Sequence, residues 1–91
     1  MDVRFHLDPD TGLPHVYGHG VTEAEAEFVL RHPGQDRPGR DNSRHAMGQT
    51  ASGRYLRVIY VPDEQGDGVF VVRAREMRGN ERRSYRRRRR R

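Results

Sequence analysis

Residues 44–76 hold three strand-length runs, 44–50, 54–62 and 69–76, joined only by Ala51-Ser52-Gly53 and by the polar, glycine-containing segment 63–68. Connections this short cannot carry a crossover helix, so the runs are predicted to form an antiparallel three-stranded meander. Alternation then divides the side chains between two faces. In the second run Leu56, Val58 and Tyr60 oppose Tyr55, Arg57 and Ile59; in the third, Phe70, Val72 and Ala74 oppose Val71, Arg73 and Arg75. If helices cover the more apolar set, Arg57, Arg73 and Arg75 emerge together on an open face.

The flanking segments supply those helices. Val3 to Leu7 alternates like a short strand and Asp8-Pro9-Asp10 ends it. Residues 11–19 are predicted to form a weak helix, capped by Thr11, with Pro14 in its first turn and Gly12 and Gly18 loosening it. Thr22-x-x-Glu25 is a capping box with Val21 as a possible staple, opening a helix over about 23–31 whose apolar side holds Ala24, Ala26, Phe28, Val29 and Leu30. His32-Pro33-Gly34 stops it, and 33–43 reads as a mobile surface loop. A short helix closes the chain around Glu81 to Tyr85.

At 91 residues the chain has room for one modest core, so residues 1–85 are taken as one domain and any active site must be a shallow groove. The absence of Cys removes disulfide and thiolate chemistry, and no apolar run approaches the roughly 18–20 residues of a membrane span. With no signal-peptide pattern either, a soluble cytoplasmic protein is expected. Charge is unevenly placed. Residues 1–42 carry four Arg against eight acids, net −4, whereas 43–91 carry fourteen Arg against five, net +9. Six of those Arg form the run Arg86 to Arg91, expected to be a disordered basic tail; without it the total falls from +5 to −1. A nearly neutral but polarised body favours oriented contact with a polyanion.

The stretch 69–85 concentrates guanidiniums, two carboxylates and one phenol. Arg presents a planar fork that matches two phosphate oxygens, and Tyr can stack on an unpaired base or pass a proton. The same composition also suits a solvated helix face with Tyr85 packed on the sheet. His15 and His19, spaced i,i+4, with His45 as a conceivable third ligand, make only a weak zinc pattern; no metal or other cofactor is expected.

His19-Gly20-Val21-Thr22 leading into an acidic helix, Gly53-Arg54-Tyr55-Leu56 opening a strand, and Ala74-Arg75 followed by Glu81-Arg82-Arg83-x-Tyr85 together resemble the BrnT family of bacterial toxins. Asp8-Pro9 also sits at that family's separation from the His-Gly-Val motif, so the resemblance covers roughly residues 5–85. The family usually has Trp before Asp-Pro and Lys before His-Gly-Val, where this chain has Leu7 and Gly18. The resemblance implies an α+β, RelE-like fold: a short N-terminal strand, two helices, the meander and a C-terminal helix. It also implies the toxin of a type II toxin–antitoxin system, a metal-independent endoribonuclease that cleaves RNA by attack of the 2′-hydroxyl. Its partner would be a ribbon-helix-helix antitoxin that also binds operator DNA. His19, Arg54, Arg75, Glu81, Arg82 and Tyr85 are the catalytic candidates, and Arg57, Arg73 and Arg83 the RNA contacts. The alternatives are a non-catalytic nucleic-acid-binding module and a toxin subunit whose site has decayed.

Overall fold

Thr22 is an extended N-cap whose hydroxyl accepts from the Glu25 amide at 3.1 Å, while the Glu25 carboxylate accepts from the Thr22 amide at 3.0 Å. This reciprocal box satisfies two amides that a helix start leaves bare and opens α1 (Glu23–Arg31) where the sequence places it. The computed structural model describes residues 1–14, 16 and 19–89. Its strands are β1 (Val3–Phe5), β2 (Gln35–Pro38), β3 (Arg44–Gln49), β4 (Tyr55–Pro62) and β5 (Val69–Glu76), and α2 (Gly79–Arg89) follows. They form one five-stranded sheet in the order β1-β5-β4-β3-β2, antiparallel throughout except for β1, which runs parallel to β5. The architecture is α+β, with the meander at its centre.

Five expectations change. Residues 35–38, read as part of a loop, are the edge strand β2. Gly39 to Ser43 turn the chain back into β3, with Asp41 and Asn42 at φ 54° and 65°, a conformation these two residue types tolerate better than most. Pro38 ends the strand on the sheet's edge, where a missing N–H does no harm. Asp36 then pins β2 from the side: it accepts from the Tyr60 hydroxyl and pairs with Arg44 at 2.9 Å. Burial, and then Asp36, push the Tyr60 phenol up to about 12, so it remains a donor.

The weak helix expected over 11–19 does not form over residues 11–14, whereas Val16 and His19 have 3-10 helical geometry. Asp8 accepts from Gly12 and, through its side chain, from Asp10; Gly12 sits at φ 72°, and Pro14 bridges back to Leu7. Local Asx-type bonding wins over a helix this poor in propensity. His15, Tyr17 and Gly18 lie outside the described residues, as do Arg90 and Arg91. At the other end, α2 runs on through Arg86–Arg89, within the segment expected to be a disordered tail. Arg there lies in the last turn, where cations complement the carbonyl end of the helix.

Strict alternation also fails in β5. Ile59 pairs with Arg73 but Tyr60 pairs with Val71, so Val72 is the extra residue of a bulge. The parity flips there: Val69, Val71 and Ala74 share the buried face, whereas Val72 is 37% exposed. That face, with Ala46, Leu56 and Val58, packs on Ala26 and Val29 of α1 to make the main core. The opposite face is not open, because α2 covers part of it. Met47, Met77 and Tyr85 form a second buried cluster there, with Tyr55 against it.

Candidate nucleic-acid interface

Arg57 and Arg75 are register partners on adjacent strands, so their side chains leave the sheet together. Two guanidiniums side by side need a counter-charge, and Glu81 in the first turn of α2 supplies it. Its Oε1 accepts from Arg75 Nη1 at 2.6 Å, and its Oε2 from Arg57 Nη1 at 2.5 Å and Arg75 Nη2 at 2.9 Å. The Arg78 amide also donates to Oε1, so the same carboxylate caps the helix start. Arg75 above all, then the Arg78 amide and Arg57, hold Glu81 down at about 2 against the opposing effect of burial. Glu81 is therefore a fixed anion and no proton acceptor near neutral pH.

His45 completes the cluster: its Nδ1 lies 2.9 Å from Arg57 Nε, which must donate. That places the imidazole proton of the neutral ring on Nε2 and engages the ring's only lone pair. Burial first, then Arg57 and Arg75, lower the His45 pKa, with Glu81 opposing. His45 thus orients Arg57 rather than taking a proton. Because the unfolded chain binds that proton more readily, the His45 contribution to stability is complete above the ordinary value of 6.5 and is lost as pH falls through the lower folded value. An NMR titration of the His45 ring is expected to give a midpoint below 6.5; one at or above it contradicts this arrangement.

Two clefts flank α2 and share Tyr85. One, of about 220 Å³, is lined by Arg37, Arg57, Glu81, Ser84 and Arg88 as well as Tyr85. The other, of about 340 Å³, lies among His32, Gly34, Gln49, Tyr55, Arg86 and Arg89. Tyr85 is 7% exposed, with its ring edge-to-face on Tyr55 at 6.0 Å. Its hydroxyl has no hydrogen-bond partner among the described residues, is not sealed from solvent, and lies against Gly34 at the larger of these two clefts. Gly34 makes that possible: a Cβ there would fall 1.9 Å from the hydroxyl oxygen. Gly34→Ala is expected to displace α2 and cost about 1–3 kcal/mol, read as a lowered thermal midpoint; an unchanged midpoint means the helix is not seated on Gly34.

The structure thus brings together Arg57, Arg75, Glu81 and Tyr85. It sets Arg82 over the Tyr55 ring at 5.9 Å and leaves Arg73 and Arg83 exposed nearby on β5 and α2. Arg54 stands apart. It donates to Glu25 at 2.8 Å, to Glu76 at 2.9 Å and to the Gly20 carbonyl at 3.1 Å, tying the start of α1 to the sheet face opposite α2. Those bonds leave it a clamp rather than a phosphate ligand. His19 is exposed and precedes Gly20, whose carbonyl Arg54 holds beside the start of α1. Sequence reasoning did not single out Arg37, Ser84 or Arg88, and it weighed His45 only as a metal ligand. Alternation along β3 gave the missing signal, since His45, Met47 and Gln49 fall on the Arg57 side. Among the described residues no cluster of His, Asp or Glu could hold a metal ion, and no described helix is long and apolar enough to cross a membrane.

Comparison with family models, with curated proteins and with solved structures finds no match to this chain.

Proposed function

We propose that the chain is a metal-independent endoribonuclease, the toxin of a type II toxin–antitoxin pair, with RNA lying across the groove beside α2. The observation that carries this reading is the register-paired Arg57 and Arg75, braced by one carboxylate held ionised at neutral pH and bordered by Arg37 and Arg88. Arg57 Nη2 donates to no acceptor among the described residues, so the braced pair keeps a donor for a phosphate oxygen. In the reaction the 2′-hydroxyl oxygen bonds to the adjacent phosphorus and the bond from phosphorus to the 5′-oxygen breaks. A 2′,3′-cyclic phosphate and a 5′-hydroxyl result. The guanidiniums stabilise charge on the phosphorane, and the pre-set pair avoids reorganising as that charge develops. With Glu81 held ionised and the His45 lone pair engaged, the Tyr85 hydroxyl is the proton-transfer group in this reading, relaying the 2′-hydroxyl proton to the departing 5′-oxygen. An acidic surface of a ribbon-helix-helix antitoxin would silence the enzyme by covering the same cations.

A second reading, a non-catalytic RNA-binding module, is favoured by the exposed Arg86–Arg89 row and by the neutralisation of Arg75 within the fold. Brief induction followed by sequencing of RNA ends separates the two. The toxin reading expects growth arrest and new 5′-hydroxyl ends that vanish in Arg75→Ala. Intact RNA with the folded chain bound to it rejects the toxin reading and retains the module.

A further inference from the structure

We propose that the larger cleft is a nucleobase subsite that selects guanine in single-stranded RNA. The inference rests on the RNA reading above and adds to it which base the site takes and where. A volume of about 340 Å³ lies at the small end of ligand cavities, about 300–1,000 Å³, and suits one base rather than a dinucleotide. Its walls carry aromatic surface from Tyr55 and Tyr85, the kind of platform on which unpaired bases stack.

The polar groups make the choice. Gln49 Nε2 donates to the Gly53 carbonyl at 3.1 Å, which fixes the amide and leaves Oε1 as an acceptor. The His32 Nδ1 faces the Phe28 carbonyl at 3.1 Å and must donate to it, so the neutral ring offers Nε2 as a second acceptor. Arg86 and Arg89 stand on the other wall as donors. Guanine presents N1–H and the N2 amino group to acceptors, and O6 and N7 to an Arg fork. Adenine reverses this pattern at its exocyclic group and lacks the N1 proton, while pyrimidines lack N7. Because Tyr85 lines both clefts and Arg57 lines the smaller one, a base held here sets its neighbouring phosphate toward Arg57. Cleavage is then directed to a bond beside guanosine.

Titrating the full chain with the four nucleoside 5′-monophosphates, read by NMR shifts of the Tyr55 and Tyr85 rings, tests this without any turnover. The guanosine form is expected to bind about tenfold or more tighter than the adenosine form. Gln49 is exposed, so Gln49→Leu and Gln49→Glu should stay folded; the first is expected to lose the preference and the second, which keeps an acceptor, to retain it. Equal affinity for all four nucleotides, or a guanine preference unaltered in Gln49→Leu, overturns the subsite. Selective guanosine binding by a chain that neither binds nor cuts RNA would support the subsite while rejecting the RNA reading. Cleavage of RNA by a chain without base preference would do the reverse.

Discussion

Glu81→Ala is expected to lower the unfolding free energy by about 2–4 kcal/mol at pH 7, because it leaves two half-buried guanidiniums facing each other without a counter-ion. Their side chains are only 24% and 21% exposed and are register partners, so water can replace the carboxylate only in part. The pH dependence has a definite sign. Glu81 has a folded pKa of about 2 against an ordinary 4.5, so its contribution is full above 4.5 and disappears as pH falls toward 2. Urea unfolding at pH 7 and near pH 2 should show wild type and variant diverging at the first and converging at the second. Combining Glu81→Gln with Arg75→Met removes the stranded charge, and the pair should be more stable than Glu81→Gln alone. A Glu81→Ala variant as stable as wild type at pH 7 would mean that the cluster is open to solvent and contributes nothing.

The second large effect concerns turnover. Arg57→Ala and Arg75→Ala are each expected to slow RNA cleavage by about ten- to a hundredfold, the loss of one charge-assisted phosphate interaction. Arg54→Ala should behave differently, because its guanidinium holds α1 through Glu25, Glu76 and Gly20. It should lower the thermal midpoint while cleavage per folded molecule stays near wild type. Equal losses of cleavage in Arg54→Ala and Arg75→Ala, at equal folded fraction, would return Arg54 to the site and contradict the two-face division.

That division also shows what could be read in advance. The meander and α1 were legible because their signals are local: short Gly-containing turns, two-residue alternation and a capping box whose bonds all form. The edge strand was not, since Gln35–Pro38 is charged, short and ends on Pro, and it pairs only because a turn with two positive φ values folds it back on β3. The bulge at Val72 was invisible for a similar reason: one inserted residue changes no composition but exchanges the faces of everything before it. Within the site, Arg57 and Arg75 lie beyond the bulge from Val71, so their predicted face survived. Glu81 and Tyr85 followed from the helix that carries them. His19 and Arg54 were grouped with these residues by motif order, which says nothing about which side of a sheet a side chain leaves. Alternation along β3 put His45 on the Arg57 side, but its contact with Arg57 depends on the β3–β4 register, which alternation alone does not fix.

The most direct measurement is to incubate the purified chain with single-stranded RNA in excess chelator and determine the chemistry of the fragment ends, with Arg75→Ala alongside. The account predicts 2′,3′-cyclic phosphate and 5′-hydroxyl termini from wild type, and a folded Arg75→Ala variant slowed by about ten- to a hundredfold. Intact RNA from a folded wild-type chain, fragments ending in 5′-phosphate, or undiminished cleavage by Arg75→Ala would contradict it.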